Sequence, residues 1–168
     1  MIRQDNTDNS YPKTAESRPS TQLYERLQHS KREFRLLDIL PAASGSFPID
    51  CYLRKARLDV DSPLDYETIS YVWGSSSRCI EISINGSSHT IPKSSAAVLR
   101  RVRLHDRTRT VWLDAVCINQ DDTTDEKEQQ VVFMGQIYRY SSGNLIYLGE
   151  GSQNLYDGLD DVVRIMQD

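Results

Sequence analysis

The chain has 168 residues, enough for one domain with tails, with 38% hydrophobic and 26% charged residues and a formal net charge of −4. That acidic balance argues against a protein built to wrap nucleic acid. Cys51, Cys79 and Cys117 are odd in number and lack CxxC spacing, which argues against a disulfide framework and against a metal site.

Residues 1–30 are rich in Ser, Thr, Asn, Asp and Pro and are expected to form a disordered tail, because they offer too little apolar surface to offset the entropy of ordering. They also lack the apolar run of a secretory signal or membrane anchor, so the expected location is the reducing cytosol. Residues 31–168 are expected to fold as one domain. FRLLDIL (34–40) reads as a strand, ended by Pro41, and CYLRKARLDV (51–60) as a second strand exposed on one face.

ETISYVW (67–73) is short, β-branched and aromatic, with apolar residues on both parities, as in a strand covered on both faces. Residues 79–91 read as a hairpin turning at Asn85-Gly86, a pair suited to the two positive φ angles of a type I′ turn. A helix capped by Ser94 or Ser95 is expected to run to Leu104. The arginines around it, Arg100, Arg101, Arg103, Arg107 and Arg109, are the one basic cluster, and read first as a solvated helix end rather than a phosphate-binding face.

TVWLDAVCI (110–118) is the most strand-like segment and is placed centrally in the sheet. Residues 126–141 are expected to form a helix whose inner stripe is Val131, Met134, Ile137 and Tyr138. LIYL (145–148) reads as a further buried strand, and residues 155–166 as a closing helix striped by Leu155, Leu159, Val162, Val163 and Met166. The alternation from residue 67 onward predicts an α/β fold: a small, mostly parallel, flavodoxin-like central sheet flanked by helices, with an inserted β-hairpin and extra N-terminal strands.

Four segments together resemble the HET domain of fungal heterokaryon-incompatibility proteins: YETISYVWG (66–74), VWLDAVCINQ (111–120), EKEQQVVFMGQIY (126–138) and IYLGE (146–150). They occur in the family's order and spacing, with Thr68-Ile69 and Tyr147 as small departures. The resemblance implies a role in allorecognition and innate immunity, in which the domain triggers programmed cell death after incompatible hyphae fuse. It also implies a distant similarity to TIR domains, some of which act by assembly and some by cleaving the glycosidic bond of NAD.

Glu126 is the first candidate for chemistry, because a carboxylate at the start of this helix is expected to face the carboxyl ends of the strands, where open α/β sheets bind ligands. The plainer reading is structural: Thr123-x-x-Glu126 has the form of a capping box. Asp114, mid-strand in an apolar run, is the second catalytic candidate and needs a partner if it is buried. Trp73, Gly74 and Ser75 after one strand, and Asn119, Gln120 and Asp121 after another, are candidate ligand contacts, against plain readings as a core tryptophan and a polar connecting loop. No metal ligation is expected, no cofactor is required, and NAD enters only as the substrate of an enzymatic reading through Glu126. Self-association or a protein partner is the leading functional expectation; nucleic-acid or membrane binding is not expected.

Overall fold

The computed structural model describes residues 23–75, 77–123, 125–149 and 162–165. The expected strand at FRLLDIL is β1 (Glu33–Ile39), and Phe34 through Leu37 are all buried, which explains its poor alternation: both faces are covered. β2 (Asp50–Arg57) runs antiparallel to it, from Glu33 opposite Arg57 to Ile39 opposite Cys51. Cys51 and Leu53 point into the core while Tyr52 and Arg54 face out, the half-covered pattern expected for this segment.

β3 (Glu67–Tyr71) is followed by the hairpin β4 (Arg78–Ile84) and β5 (Ser87–Pro92). Its turn has φ of 54° at Asn85 and 77° at Gly86, as the dipeptide predicts. The Asn85 side chain accepts from the Leu53 amide (2.9 Å) and donates to the Leu53 carbonyl (3.1 Å), so the turn itself is fastened to β2. α1 (Lys93–Val102) buries Ser95, Ala96, Val98, Leu99 and Val102. Neither expected serine caps it: Pro92 holds the N-cap position, Ser94 bonds the Trp73 carbonyl and Ser95 bonds the Tyr71 hydroxyl.

β6 (Arg109–Trp112) is central, between β1 and β3. It ends sooner than expected, because residues 114–117 form a short helix, α2 (Asp114–Cys117), with the Val116 and Cys117 amides both bonding the Leu113 carbonyl. A buried strand and a buried helical turn both need a continuous apolar run, and periodicity cannot separate them over four residues.

α3 (Glu126–Arg139) follows, then β7 (Gly143–Tyr147) and β8 (Val162–Ile165). The inner face of α3 is Gln130, Ile137 and, in part, Phe133, Met134 and Tyr138; Val131, expected inside, is 53% exposed. The closing helix is corrected at residues 162–165, which pair antiparallel with β7 as a strand, in keeping with their β-branched character; its other residues lie outside the described ones.

The sheet order is β5-β4-β2-β1-β6-β3-β7-β8. The expected α/β class holds, but the expected mostly parallel sheet does not. Three pairings are parallel (β2 with β4, β3 with β6, β3 with β7) and four are antiparallel. Beyond the expected hairpin, β1 enters the centre of the sheet antiparallel to both of its neighbours, and β8 adds an antiparallel pair to β7. Residues 23–30, read from sequence as part of the tail, lie against the domain through Leu27, which is 5% exposed, and lead into a 3₁₀ turn at His29–Lys31.

Candidate functional site at the carboxyl ends of the parallel strands

Because β6, β3 and β7 are parallel neighbours, the chain leaves all three at the same edge of the sheet. Val72 and Trp73 follow β3, Asp114 follows β6, and Leu148 follows β7. Open α/β sheets bind ligands at such an edge. Gly74 turns the chain away with a φ of 63°, a conformation that favours glycine.

Trp73 is 40% exposed rather than a core tryptophan, and its Nε1–H donates to Asp114 Oδ2 at 3.0 Å. Asp114 Oδ1 accepts from the Ala115 amide at 2.7 Å, at the start of α2. Burial pushes the Asp114 carboxyl above its ordinary 3.8, against the opposing pull of these two donors. Around it, Tyr71 shares a 2.8 Å hydrogen bond with Ser95, and Tyr138 donates to the Ile69 carbonyl at 3.2 Å. Burial raises both phenols to about 12, with the Asp114 charge adding to each, so both stay protonated donors. The arrangement sets a half-buried carboxyl beside a partly open indole, a surface suited to stacking a ring and hydrogen-bonding its substituents.

Glu126 belongs to a different network. Its Oε1 accepts from Arg35 Nη2 at 2.8 Å and its Oε2 from the Leu27 amide at 3.1 Å. Arg35 is 1% exposed on β1, and also donates to the carbonyls of Cys117 (3.3 Å) and Glu25 (2.6 Å). The capping box is not formed: Asp125 holds the N-cap position without a side-chain cap, and the Lys127 amide takes its acceptor from Asp122. Arg35 was overlooked in the sequence, although one charge inside the apolar run FRLLDIL is the signal of a buried residue in need of a partner.

The loop after α2 mostly serves structure. Gln120 Nε2 donates to the Asp114 carbonyl (2.9 Å), Asn119 Oδ1 accepts from the Asp121 amide (3.2 Å), and Asp121 forms a two-pronged ion pair with Arg78 at 2.5 and 3.0 Å. That pair holds the Asp121 carboxyl below its usual range. Ser75 accepts from the Ser77 amide at 3.2 Å. The structure thus brings Trp73, Gly74 and Asp114 together, while Asp121 contributes to the wall of a separate cavity of about 160 Å³ with Tyr24, Arg78, His89 and Val116.

Two of the five clustered arginines are absorbed by the fold. Arg103 donates to the carbonyls of Pro48, Ser44 and Phe47, and Arg109 pairs with Glu67 at 2.6 Å. Burial raises the Cys51 and Cys117 thiols to about 12, as inert core residues require. Among the described residues no group of three or more His, Cys, Asp or Glu is placed to hold a metal, and no described helix is long and apolar enough to cross a membrane.

Residues 66–168 match the family described as Heterokaryon incompatibility protein (HET). The chain is 34% identical over 169 residues to Heterokaryon incompatibility protein 6, OR allele, of Neurospora crassa. That match covers 91% of this chain and 23% of the relative, so the chain spans about a quarter of the relative's length. No solved structure matches. The chain belongs to the HET family of heterokaryon-incompatibility proteins.

Proposed function

We propose that this domain is a cytosolic allorecognition module that triggers programmed cell death by associating with further copies of itself. The observation that carries this reading is the outer face of α3. Val131 (53% exposed) and Val132 (85% exposed) stand side by side there. Val132 also borders an open groove of about 470 Å³ lined by His29, Glu128, Phe133 and Gln136. Adjacent exposed aliphatic side chains beside a groove offer apolar surface that a second copy can cover. The test is Val132→Asp. Sedimentation of the full chain is expected to lose its concentration-dependent association, and expression in a fungal host is expected to lose its toxicity at unchanged protein amount. Persistence of both would sink the reading.

A second reading, cleavage of NAD, is favoured by the pairing of Asp114 with the partly open Trp73. Water would add at the ribose carbon as the bond to nicotinamide breaks, with a carboxylate stabilising the charge that develops on the sugar. This reading rests on Asp114 rather than Glu126, whose carboxylate is 13% exposed and ion-paired with the buried Arg35. Nicotinamide release that disappears in Asp114→Ala supports it. Release unchanged in that variant excludes Asp114, and no release from the associated protein excludes the activity.

A further inference from the structure

The segment just before β1 is bound to the domain as a peptide ligand is bound to a groove. Leu27 is buried, and its amide donates to Glu126; the Glu25 carbonyl accepts from Arg35. Tyr24 lies over the Arg35 guanidinium, 5.1 Å from the ring centroid, and its hydroxyl donates to the Val116 carbonyl at 3.0 Å. The Glu25 side chain pairs with Lys55 at 2.9 Å. The groove therefore reads one backbone N–H, one backbone C=O and three side chains of the segment.

The link between this segment and β1 is short and strained. The 3₁₀ turn at His29–Lys31 ends on Arg32, which holds a φ of 54°. A residue with a Cβ enters this region at a cost that an extended link does not carry. The reversal is closed by the Lys31 and Glu33 amides on the Gln28 carbonyl (3.0 and 3.4 Å), the Arg32 amide on the His29 carbonyl (2.8 Å) and the Gln28 amide on Glu33 Oε2 (2.8 Å). Arg32 is further held by the Leu58 amide on its carbonyl (3.0 Å) and by its own bond to Gln136 Oε1 (2.7 Å). Short hinges under strain favour exchange of the element they carry between copies.

We propose that the Tyr24–Leu27 segment exchanges between two copies of this chain, each inserting it into the other's groove. The occupant follows from the contacts: only a second copy supplies the same tyrosine, glutamate and leucine in the same order, so each bond of the closed form is remade in the exchanged one. Opening the hinge relieves Arg32, and it opens at the rim of the α3 groove, where His29 lies beside Val132. A copy docked through its segment is thus brought against the exposed valine face. The inference rests on the self-association reading and gives it a mechanism.

The test uses the Lys55–Glu25 pair, which a carbodiimide joins as an amide with loss of water. The 168-residue chain in ordinary and ¹⁵N-labelled forms is mixed in equal amounts, incubated at high concentration, cross-linked and separated by size. With exchange and random pairing, about half of the Lys55–Glu25 cross-links in the dimer fraction carry one copy of each label. Dimers whose cross-links are all of single label overturn the exchange and leave self-association standing. A chain that stays monomeric at every concentration overturns both. Arg32→Gly, which relaxes the hinge in its closed form, is expected to lower the dimer fraction several-fold, and an unchanged fraction overturns the role of the hinge.

Discussion

The Arg35–Glu126 pair shows how a residue's chemistry depends on a neighbour remote in sequence. The side chains are 2% and 13% exposed and their residues stand 91 positions apart. Removing one partner leaves a desolvated charge, so Arg35→Met is expected to cost about 3–5 kcal/mol, measured by urea denaturation. Adding Glu126→Leu to that variant is expected to recover much of the loss, and a double variant no better than the single would show that the pair is not the source. Asp114 makes a pH prediction. Its carboxyl is raised above 3.8 in the fold, so between 3.8 and the raised value the native state holds more protons than the unfolded chain. Stability contributed by this group therefore falls as pH rises through that window. Subtracting the profile of Asp114→Asn, which still offers Trp73 an acceptor, is expected to isolate that fall. A difference profile flat with pH would contradict the assigned burial. Trp73 was legible as a candidate from its place after a strand, and Asp114 as a carboxylate inside an apolar run; their hydrogen bond was not, since the run ends as a strand at Trp112 and the parallel register of β3 and β6 brings the two together.

Among elements, the hairpin was the most legible because its signal is local. Asn85-Gly86 demands positive φ whatever surrounds it. What the dipeptide does not reveal is its second role, since the Asn85 side chain pairs with both backbone groups of Leu53. Asn85→Ala is expected to cost about 2 kcal/mol, from the left-handed backbone and the lost bonds together. Asn85→Gly keeps the backbone and loses only the bonds, so a smaller loss in the same denaturation experiment separates the two causes. The short helix α2 and strand β8 were not legible, for one shared reason. Each is four residues long, too short for periodicity to separate a strand from a helical turn, and the choice lies with what packs around them. Of the expected α3 stripe, Met134, Ile137 and Tyr138 face the core, while Val131 is exposed and its place is taken by the buried Gln130.

At the scale of the molecule, β1 joins two halves between which the chain alternates. β6, β3 and β7 supply the parallel edge with Trp73 and Asp114, while β5, β4 and β2 brace the other side. Because β1 lies antiparallel to both neighbours, the early strands are structural members of the sheet rather than additions at its margin. On the self-association reading, stability and association are assigned to opposite faces of one helix. Ile137 is fully buried on α3, and Ile137→Ala is expected to cost about 2–4 kcal/mol in thermal or urea unfolding without touching the outer face. Val132 is 85% exposed on the same helix, and Val132→Asp is expected to change stability by less than about 0.5 kcal/mol. If the family role is exerted through association, the toxicity of Ile137→Ala should follow the amount of folded protein, whereas Val132→Asp should be silent at full abundance. Measuring soluble protein and cell death in the same cultures decides it, because loss of toxicity that tracks abundance in both variants would place the function elsewhere than on the α3 surface.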